Sequence, residues 1–344
     1  MRVREFTEAD AASWDEFVRA CPTATVFHRR AWRAVIADVF GHRPVYLLAE
    51  DDAGLHGVLP LFVLRTRFFG RMAVSLPFLN YGGVAATSDE AAAALLAEAE
   101  RVGRAQGCAY VEFRHRWNAP AAQALPTNEF KVTSVLHLPA DEDTLWMKKL
   151  HQNVRNKVRK AEKNEVLIEA GPQLLDDFYR VFCVNQRELG TPVLPRRWFA
   201  RVLDAFGDDA RVYVAHRQGR AIGAKVVLDH GDTCHFIWSA STREGNAHAV
   251  VSAMNWRALR EALARGLAKV DFGRSTKDSG SQQFKKHWGV EIEPLYWQYH
   301  LLTRAAMPGL NTSNPKFEFA IRVWRRLPLF VTRWLGPRLA RDLP

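Results

Sequence analysis

The 344-residue chain has little cysteine and no long apolar run. Cys21, Cys108, Cys183 and Cys234 stand singly, with no C-x-x-C pair and no matching histidine cluster. This spacing argues against structural zinc and a disulfide framework, and it fits a reducing compartment. No stretch approaches the roughly 20 apolar residues that a membrane-spanning helix requires. The first residues, "MRVREFTEADAASW", are charged and lack the apolar core of a signal peptide, so the expected location is the cytoplasm. G-x-S-x-G, a Walker A loop and G-x-G-x-x-G are all missing, which disfavours hydrolases of that type, P-loop enzymes and Rossmann dehydrogenases. Neither a metal site nor a bound cofactor is expected.

Acid is scarce relative to base. Thirty-seven Asp and Glu face 48 Lys and Arg, for a net charge of +11 and a pI near 9.7. Such a field favours polyanions: RNA, nucleotide- or lipid-linked pyrophosphates, or an anionic membrane face. It does not choose among them, and an arginine-rich composition produces it without any partner. Apolar residues make up 48%, with eleven Trp and twenty Phe, enough for sizeable cores. The length points to two domains.

A pattern recurs along the chain. Residues 45–64, "VYLLAEDDAGLHGVLPLFVL", read as two strands joined by a glycine-containing turn, and residues 212–228, "VYVAHRQGRAIGAKVVL", repeat it. Each hairpin is followed by a helix running into a strand: "EAAAALLAEAERVGRAQG" then "CAYVEFR", and "AVVSAMNWRALREALARG" then "LAKVDFGR". Both helices stop at a glycine, Gly107 and Gly266. The second half is expected as helices at 172–189 and 195–206, strands at 211–217, 221–230 and 233–240, a helix at 248–265 and a strand at 268–273. A short helix near 281–288 and strands within 291–302 follow. This antiparallel meander leading into strand–helix–strand resembles the GNAT acyltransferase layout. The fold class is therefore α/β (α+β), with tandem GNAT-like domains whose mixed, mostly antiparallel sheets are flanked by helices. The expected division is a first domain at 1–140, a basic inter-domain helix at 141–165, a second domain at 166–310 and a basic amphipathic tail at 311–344.

In that fold, the loop after the fourth strand holds a pyrophosphate on backbone N–H groups. Here it is "STREGNAHA", 241–249, so Gly245, Asn246 and Ala247 are the candidate donor-binding residues. Thr242 stands where Gln or Arg is usual, and an ordinary turn before a helix would look the same.

Longer motifs carry a closer resemblance. "VDFGR" at 270–274, a Gly- and Ser-containing loop, and "FKKHWG" at 284–289 are similar to the Asp-Phe-Gly…Phe-Lys-x-x-Phe-Gly signature of the Fem (FemAB) family of acyl- and peptidyltransferases. "VFHRRAWRAV" (26–35), "LPFLNYGGV" (76–84) and "HQNVRNKVRKAEKN" (151–164) resemble further segments of that family. The resemblance spans residues 20–303. "LPLFVLRTRFFGRMAVSLPFLNYGG" and the closing "RRLPLFVTRWLGPRLARDLP" look like a narrower branch that accompanies PEP-CTERM/exosortase exopolysaccharide systems. The chain lacks the long coiled-coil insertion of the cross-bridge enzymes that use aminoacyl-tRNA.

The resemblance implies an enzyme: an acyl- or aminoacyltransferase acting on an amine of a cell-envelope or exopolysaccharide precursor, UDP- or lipid-linked and anionic. The donor is aminoacyl-tRNA or acyl-CoA, with no DNA partner. Alternatives are a CoA-dependent N-acetyltransferase of an amino sugar, and a catalytically silent module that binds a glycan or lipid precursor. Acyl transfer needs a close approach and a donor where the carbonyl oxygen becomes negative. Lys285, next to a Phe284 expected to be buried, is the candidate for that donor, and Lys285 and Phe284 are together the candidate catalytic residues. Arg274 and Lys277 are candidates for holding a pyrophosphate or carboxylate. A solvated basic loop pinned by Phe284 and Trp288 is the bland reading of the same residues. No general base announces itself, so direct attack is expected, the proton leaving to substrate or water.

Further substrate-binding candidates are Tyr81, Trp238, Ser239, Arg187 and the basic-helix residues Arg155 and Arg159. In that helix, 144–163, seven Lys/Arg face one Glu, and Leu150, Val154 and Val158 mark an apolar edge. It reads as a phosphate clamp or as a solvated linker. "RELGTPVLPRRWF", 187–199, is expected to cover the donor. Residues 315–344 mix seven Lys/Arg with Phe317, Phe319, Trp324, Leu327, Phe330, Trp334 and Leu335. They suggest peripheral contact with the inner membrane, or a helix docked on the protein itself; Pro328 and Pro337 are expected to break the segment.

Overall fold

The computed structural model describes residues 1–308 and 315–343, and the side chains of all of these except 315–317. Phe317 thus lies outside the described side chains. The chain forms two compact units: Met1–Val132 with Pro294–Leu310 and Arg341–Pro344, and Thr133–Glu293 with Asn311–Ala340.

Unit 1 runs through β1 (Arg2–Glu5), α1 (Ala11–Ala20), α2 (Ala31–Phe40), β2 (Arg43–Asp51), β3 (Gly54–Thr66), β4 (Gly70–Ser75), β5 (Ala85–Ala86), α3 (Asp89–Ala105), β6 (Tyr110–His115) and β7 (Thr127–Asn128). β2, β3 and β4 pair antiparallel, and α3 carries the chain across to β6, which pairs parallel with β4. The sheet order is β1-β2-β3-β4-β6-β16-β7, where β16 is Tyr296–Leu301. Ala91, Leu95 and Ala99 recur at helical spacing on α3 and pack with Val45, Leu47, Leu59 and Leu61 of the hairpin.

Unit 2 begins with β8 (Lys131–His137), the single turn α4 (Glu142–Thr144), a π-turn at Leu145–Lys149 and α5 (Gln152–Lys163). It continues through β9 (Leu167–Ala170), α6 (Leu175–Leu189), α7 (Arg196–Phe206), β10 (Ala210–Arg217), β11 (Arg220–His230) and β12 (Thr233–Ser241). α8 (Arg243–Ala247), α9 (Val250–Ala264), β13 (Lys269–Asp271), β14 (Ser275–Thr276), α10 (Gly280–Lys286) and β15 (Glu291–Pro294) follow. α11 (Pro315–Arg326) and α12 (Leu329–Ala340) close it. The sheet order is β14-β8-β13-β12-β11-β10-β9, with β15 on β8.

The two sheets repeat one plan: an antiparallel meander, a parallel fifth strand reached through a helix, and an antiparallel sixth. The sixth strands come from unexpected places in the chain. β8 follows β6 and β7 in sequence but pairs with β13, whereas β16 follows β13 and pairs with β6. The expected boundaries are corrected accordingly. Residues 291–302 split between the two sheets, and the basic helix belongs to unit 2, as do residues 315–340.

The basic helix is also broken. The π-turn ends at an extended Leu150, and α5 starts only after His151. Leu150, Val154 and Val158 are buried as their spacing implies, packed with Phe272 and Trp288 in the core of unit 2. Pro328 separates α11 from α12, but Pro337 sits inside α12.

Candidate active site

β12 and β13 pair parallel only through Thr233–Lys269, Cys234–Val270 and His235–Asp271. Beyond that point β12 continues to Ser241 while β13 ends, so the two strands part. β12 is also irregular against β11 between Val226 and Val227, a local bend of the kind a β-bulge produces. The opening lies beside this bend and before the loop that starts "FGRST".

Side-chain chemistry explains the loop. Asp271, buried, takes the Thr133 hydroxyl and the Gly273 N–H on Oδ1, both at 2.7 Å, with His235 Nδ1 3.5 Å from Oδ2. Gly273 turns the chain at φ 75°, a left-handed conformation that a side chain would strain. Ser279 caps α10 through the Gln282 N–H. Gly289 closes the segment tightly against the Lys149 carbonyl. His151 N–H donates to the His287 carbonyl at 3.0 Å, joining the start of α5 to the end of α10.

Lys285 is on α10 and buried. Its Nζ donates to the Gly273 carbonyl at 2.7 Å and the Arg274 carbonyl at 3.1 Å. An ammonium has three N–H groups, so one is left. Burial brings its pKa down to about 8; the Asp271 carboxylate opposes that shift and the Arg274 guanidinium adds to it. Phe284 is only half-buried, a correction to the expected core residue. Its ring stands edge-on to Trp288 at 6.2 Å, with Lys157 Nζ 5.7 Å from the ring centroid. Trp288, fully buried beneath Phe272 at 5.6 Å, is the true anchor. Lys286 faces solvent.

A second buried lysine was missed in the sequence. Lys225, in the middle of β11, is 1% exposed, with Nζ 3.8 Å from the Phe236 ring centroid. Among the described residues it has no hydrogen-bond acceptor. Burial brings its pKa to about 7; Cys234 pulls the other way, and the positive charge of Lys285 lowers it further. The sequence offers only a lone lysine inside the apolar run "AIGAKVVL", which by itself reads as an exposed strand position.

Two cavities of about 270 and 330 Å³ meet at Lys157 and Phe284. The first is walled by α5 and His287, the second by Asn246 and the first turn of α9. No carboxylate lines either one among the described residues. The first N–H groups of a helix lack intrahelical partners and carry partial positive charge. At α9 the Ser252 and Ala253 N–H groups donate to the Ala249 carbonyl, so it is Lys157 and the positive end of the helix dipole that make this groove suited to an anion. Lys157 was also missed, being one of many cations in its run.

The donor-loop candidates form α8. Thr242 caps it through the Gly245 N–H at 3.1 Å, and the Asn246 amide oxygen accepts the Ser241 hydroxyl at 2.9 Å. Gly245 packs so close to β11 that a Cβ would overlap the Ile222 carbonyl oxygen. Ala247 completes the turn, and Ala249, at φ 59°, swings the chain into α9. Of these three, only Asn246 lines the groove.

Other candidates lie elsewhere. Arg155 is committed to the carbonyls of Trp146, Met147 and Leu150, closing the π-turn, which corrects its reading as a phosphate clamp. Arg159 is exposed over the Trp146 ring. Tyr81 is fully buried in unit 1, edge-on to Phe27, so it lines no open cleft. Trp238 is buried against Trp198 and Phe199. Ser239 is exposed opposite Lys225. Arg187 is half-buried on α6, its Nε without a hydrogen-bond partner among the described residues. Arg274 and Lys277 are exposed on the loop that Lys285 pins. Within 187–199, expected to cover a donor, the 190–195 loop is itself covered: Gly190 lies against Ile321 and Arg325, and Val193 against Gly336.

Comparison with known proteins bears on this geometry. Residues 148–286 match the acetyltransferase (GNAT) domain family, Acetyltransf_6. The match lies within unit 2. A curated relative, the UDP-N-acetylmuramoylpentapeptide-lysine N(6)-alanyltransferase of Weissella viridescens, is 24% identical over 132 residues. That match covers 36% of this chain and 39% of the relative's length. Among solved structures, FemX superposes with a TM-score of 0.69 at 16% identity, over 88% of this chain and 98% of FemX. L-PGS from Bacillus licheniformis superposes at 0.58 and 10% identity, over 94% and 99%. These likenesses establish tandem GNAT-like folding. Among the described residues no helix is long and apolar enough to cross a membrane, and no cluster of His, Cys, Asp and Glu could hold a metal ion.

Proposed function

We propose that the chain is a Fem-type aminoacyl- or acyltransferase that acylates an amine on an anionic cell-envelope precursor, UDP- or lipid-linked. The observation that carries this reading is the buried Lys285 ammonium beside the parted strands, with one N–H not taken by the Gly273 and Arg274 carbonyls. The acceptor amine attacks the donor carbonyl carbon, and the oxygen that becomes negative takes that N–H. Collapse breaks the bond to the donor's ester or thioester leaving group. The amine's proton passes to the leaving group or water. The acceptor for which the Weissella viridescens alanyltransferase is named, a UDP-N-acetylmuramoylpentapeptide, supports this class of substrate. The exopolysaccharide amino sugar implied by the PEP-CTERM-like segments is the narrower version of the same reading.

The donor is bound through its phosphates in the Lys157 groove, with the N-terminal turn of α9 as the anion site. This groove also favours a second reading, a CoA-dependent N-acetyltransferase, because a CoA pyrophosphate suits it equally.

Mass spectrometry of a UDP-linked muramoyl pentapeptide incubated with the protein and alanyl-tRNA or acetyl-CoA tests both readings. A gain of one aminoacyl mass supports the first, and an acetyl gain supports the second. No gain with either donor or with an amino-sugar acceptor would leave the silent binding module. Stabilisation by ligand gives an independent check, since a donor bound only by the folded state raises its melting temperature. We expect a shift with one donor and none with the other.

A further inference from the structure

Five of the twelve large apolar side chains that stand exposed among the described residues gather on one part of unit 2: Leu189, Phe319, Val323, Phe330 and Trp334. Phe319 is 63% exposed, Phe330 74% and Trp334 62%. The concentration is not explained by loose docking. Both terminal helices pack on α6, with Trp324 of α11 buried, and Thr332, Gly336 and Ala340 of α12 facing inward at helical spacing. Arg325 donates to the Leu189 carbonyl at 3.3 Å, tying α11 to the end of α6. Each helix is therefore seated by one face while its outward face shows an apolar pair four residues apart: Phe319 with Val323, and Phe330 with Trp334.

Soluble surfaces rarely leave such a patch uncovered without a partner. The charges beside it identify the partner's chemistry. Arg322, Arg325, Arg326, Arg333 and Arg338 are exposed around these side chains, and Glu318 is the only acid in 315–340. Arg338 lies 4.2 Å over the Trp334 ring and donates to the Trp334 carbonyl, which holds that indole outward. Exposed aromatics ringed by arginine match the headgroup zone of an anionic bilayer: the rings enter the acyl boundary and the guanidiniums stay at the phosphates. A two-fold dimer through the same face would set arginines against arginines.

We propose that α11 and α12, with the end of α6, form a docking face for an anionic membrane surface, with Phe319, Val323, Phe330 and Trp334 as the inserted side chains. The face narrows the sequence expectation for residues 315–344: Trp324 belongs to the protein's interior and takes no part. It does not depend on the transfer reaction.

Flotation of the full-length chain with phosphatidylglycerol-containing vesicles and with pure phosphatidylcholine vesicles tests it. We expect capture by the anionic vesicles, weaker capture by neutral ones, and loss with rising salt. Phe330→Ser with Trp334→Ser should weaken capture at least tenfold while leaving the melting temperature within about 2 °C, since both side chains are exposed and exposed substitutions cost little. No capture by anionic vesicles, or capture unchanged in the double variant, overturns the proposal. So does a concentration-dependent dimer in sedimentation velocity that the double variant abolishes. Aminoacylation of a lipid-free acceptor, measured alongside, should be the same in both proteins. A failure there speaks to the reaction and not to the membrane face.

Discussion

A buried amine without an acceptor is the most informative side chain in unit 2. The unfolded chain protonates lysine up to the ordinary pKa near 10.4, but the folded state releases the Lys225 proton near pH 7. Below pH 7 both states hold the proton, and folding carries the full cost of burying the charge. Between pH 7 and about 10 the unfolded state binds more protons, so stability rises with pH. Lys285 adds to the same slope from about pH 8. Lys225→Met keeps the volume and removes the charge. We expect it to raise the melting temperature by at least about 3 °C at pH 6–7 and to flatten the rise toward pH 10. Melting curves across that range check it, and parallel curves for the two proteins would mean that Lys225 is solvated in solution. The same side chain marks the limit of reading a sequence. A lysine in a strand looks like an exposed position, and only the register opposite Tyr213 and Ser239, with Phe236 beneath it, reveals the burial.

Elements were more legible than their partners. The hairpins, the α3 and α9 helices and their glycine stops follow from periodicity and turn chemistry, and the structure has them within a few residues of the expected ranges. The break between the π-turn and α5 escaped, because it depends on Arg155 reaching three carbonyls and on Gly289 packing at Lys149. Gly245 shows a related ambiguity. Its place in "STREGNAHA" suggested contact with a donor, whereas its missing side chain lets α8 sit on the Ile222 carbonyl. Gly245→Ala should therefore destabilise unit 2 by roughly 1–3 kcal/mol even with no donor present, the usual range for overpacking. Urea unfolding measures this. A variant as stable as the parent but unable to bind donor would return Gly245 to the donor site.

At the scale of the whole molecule, the pairing of sheets crosses the order of the chain. No local pattern discloses that β16 completes the sheet of β6 while β8 completes that of β13, because strand propensity does not say which edge a strand joins. Gln298→Pro removes a ladder donor opposite Phe113, and Leu136→Pro does so opposite Val270. In hydrogen exchange the first should unprotect β6 and spare β13, and the second should do the reverse. Loss of protection in both strands from either change would contradict the exchange. The chemistry at unit 2 is tested most directly by its two adjacent lysines. Steady-state kinetics of Lys285→Ala and Lys286→Ala, with the productive donor, should give a fall of roughly 10²–10³ in kcat for the first, the usual loss of an oxyanion donor. The second, exposed beside it, should stay within about threefold. The parent rate should decline as pH rises through about 8, where the Lys285 ammonium loses its proton. Equal, mild losses in the two variants, with no decline above pH 8, would contradict the assignment of Lys285 to the reaction.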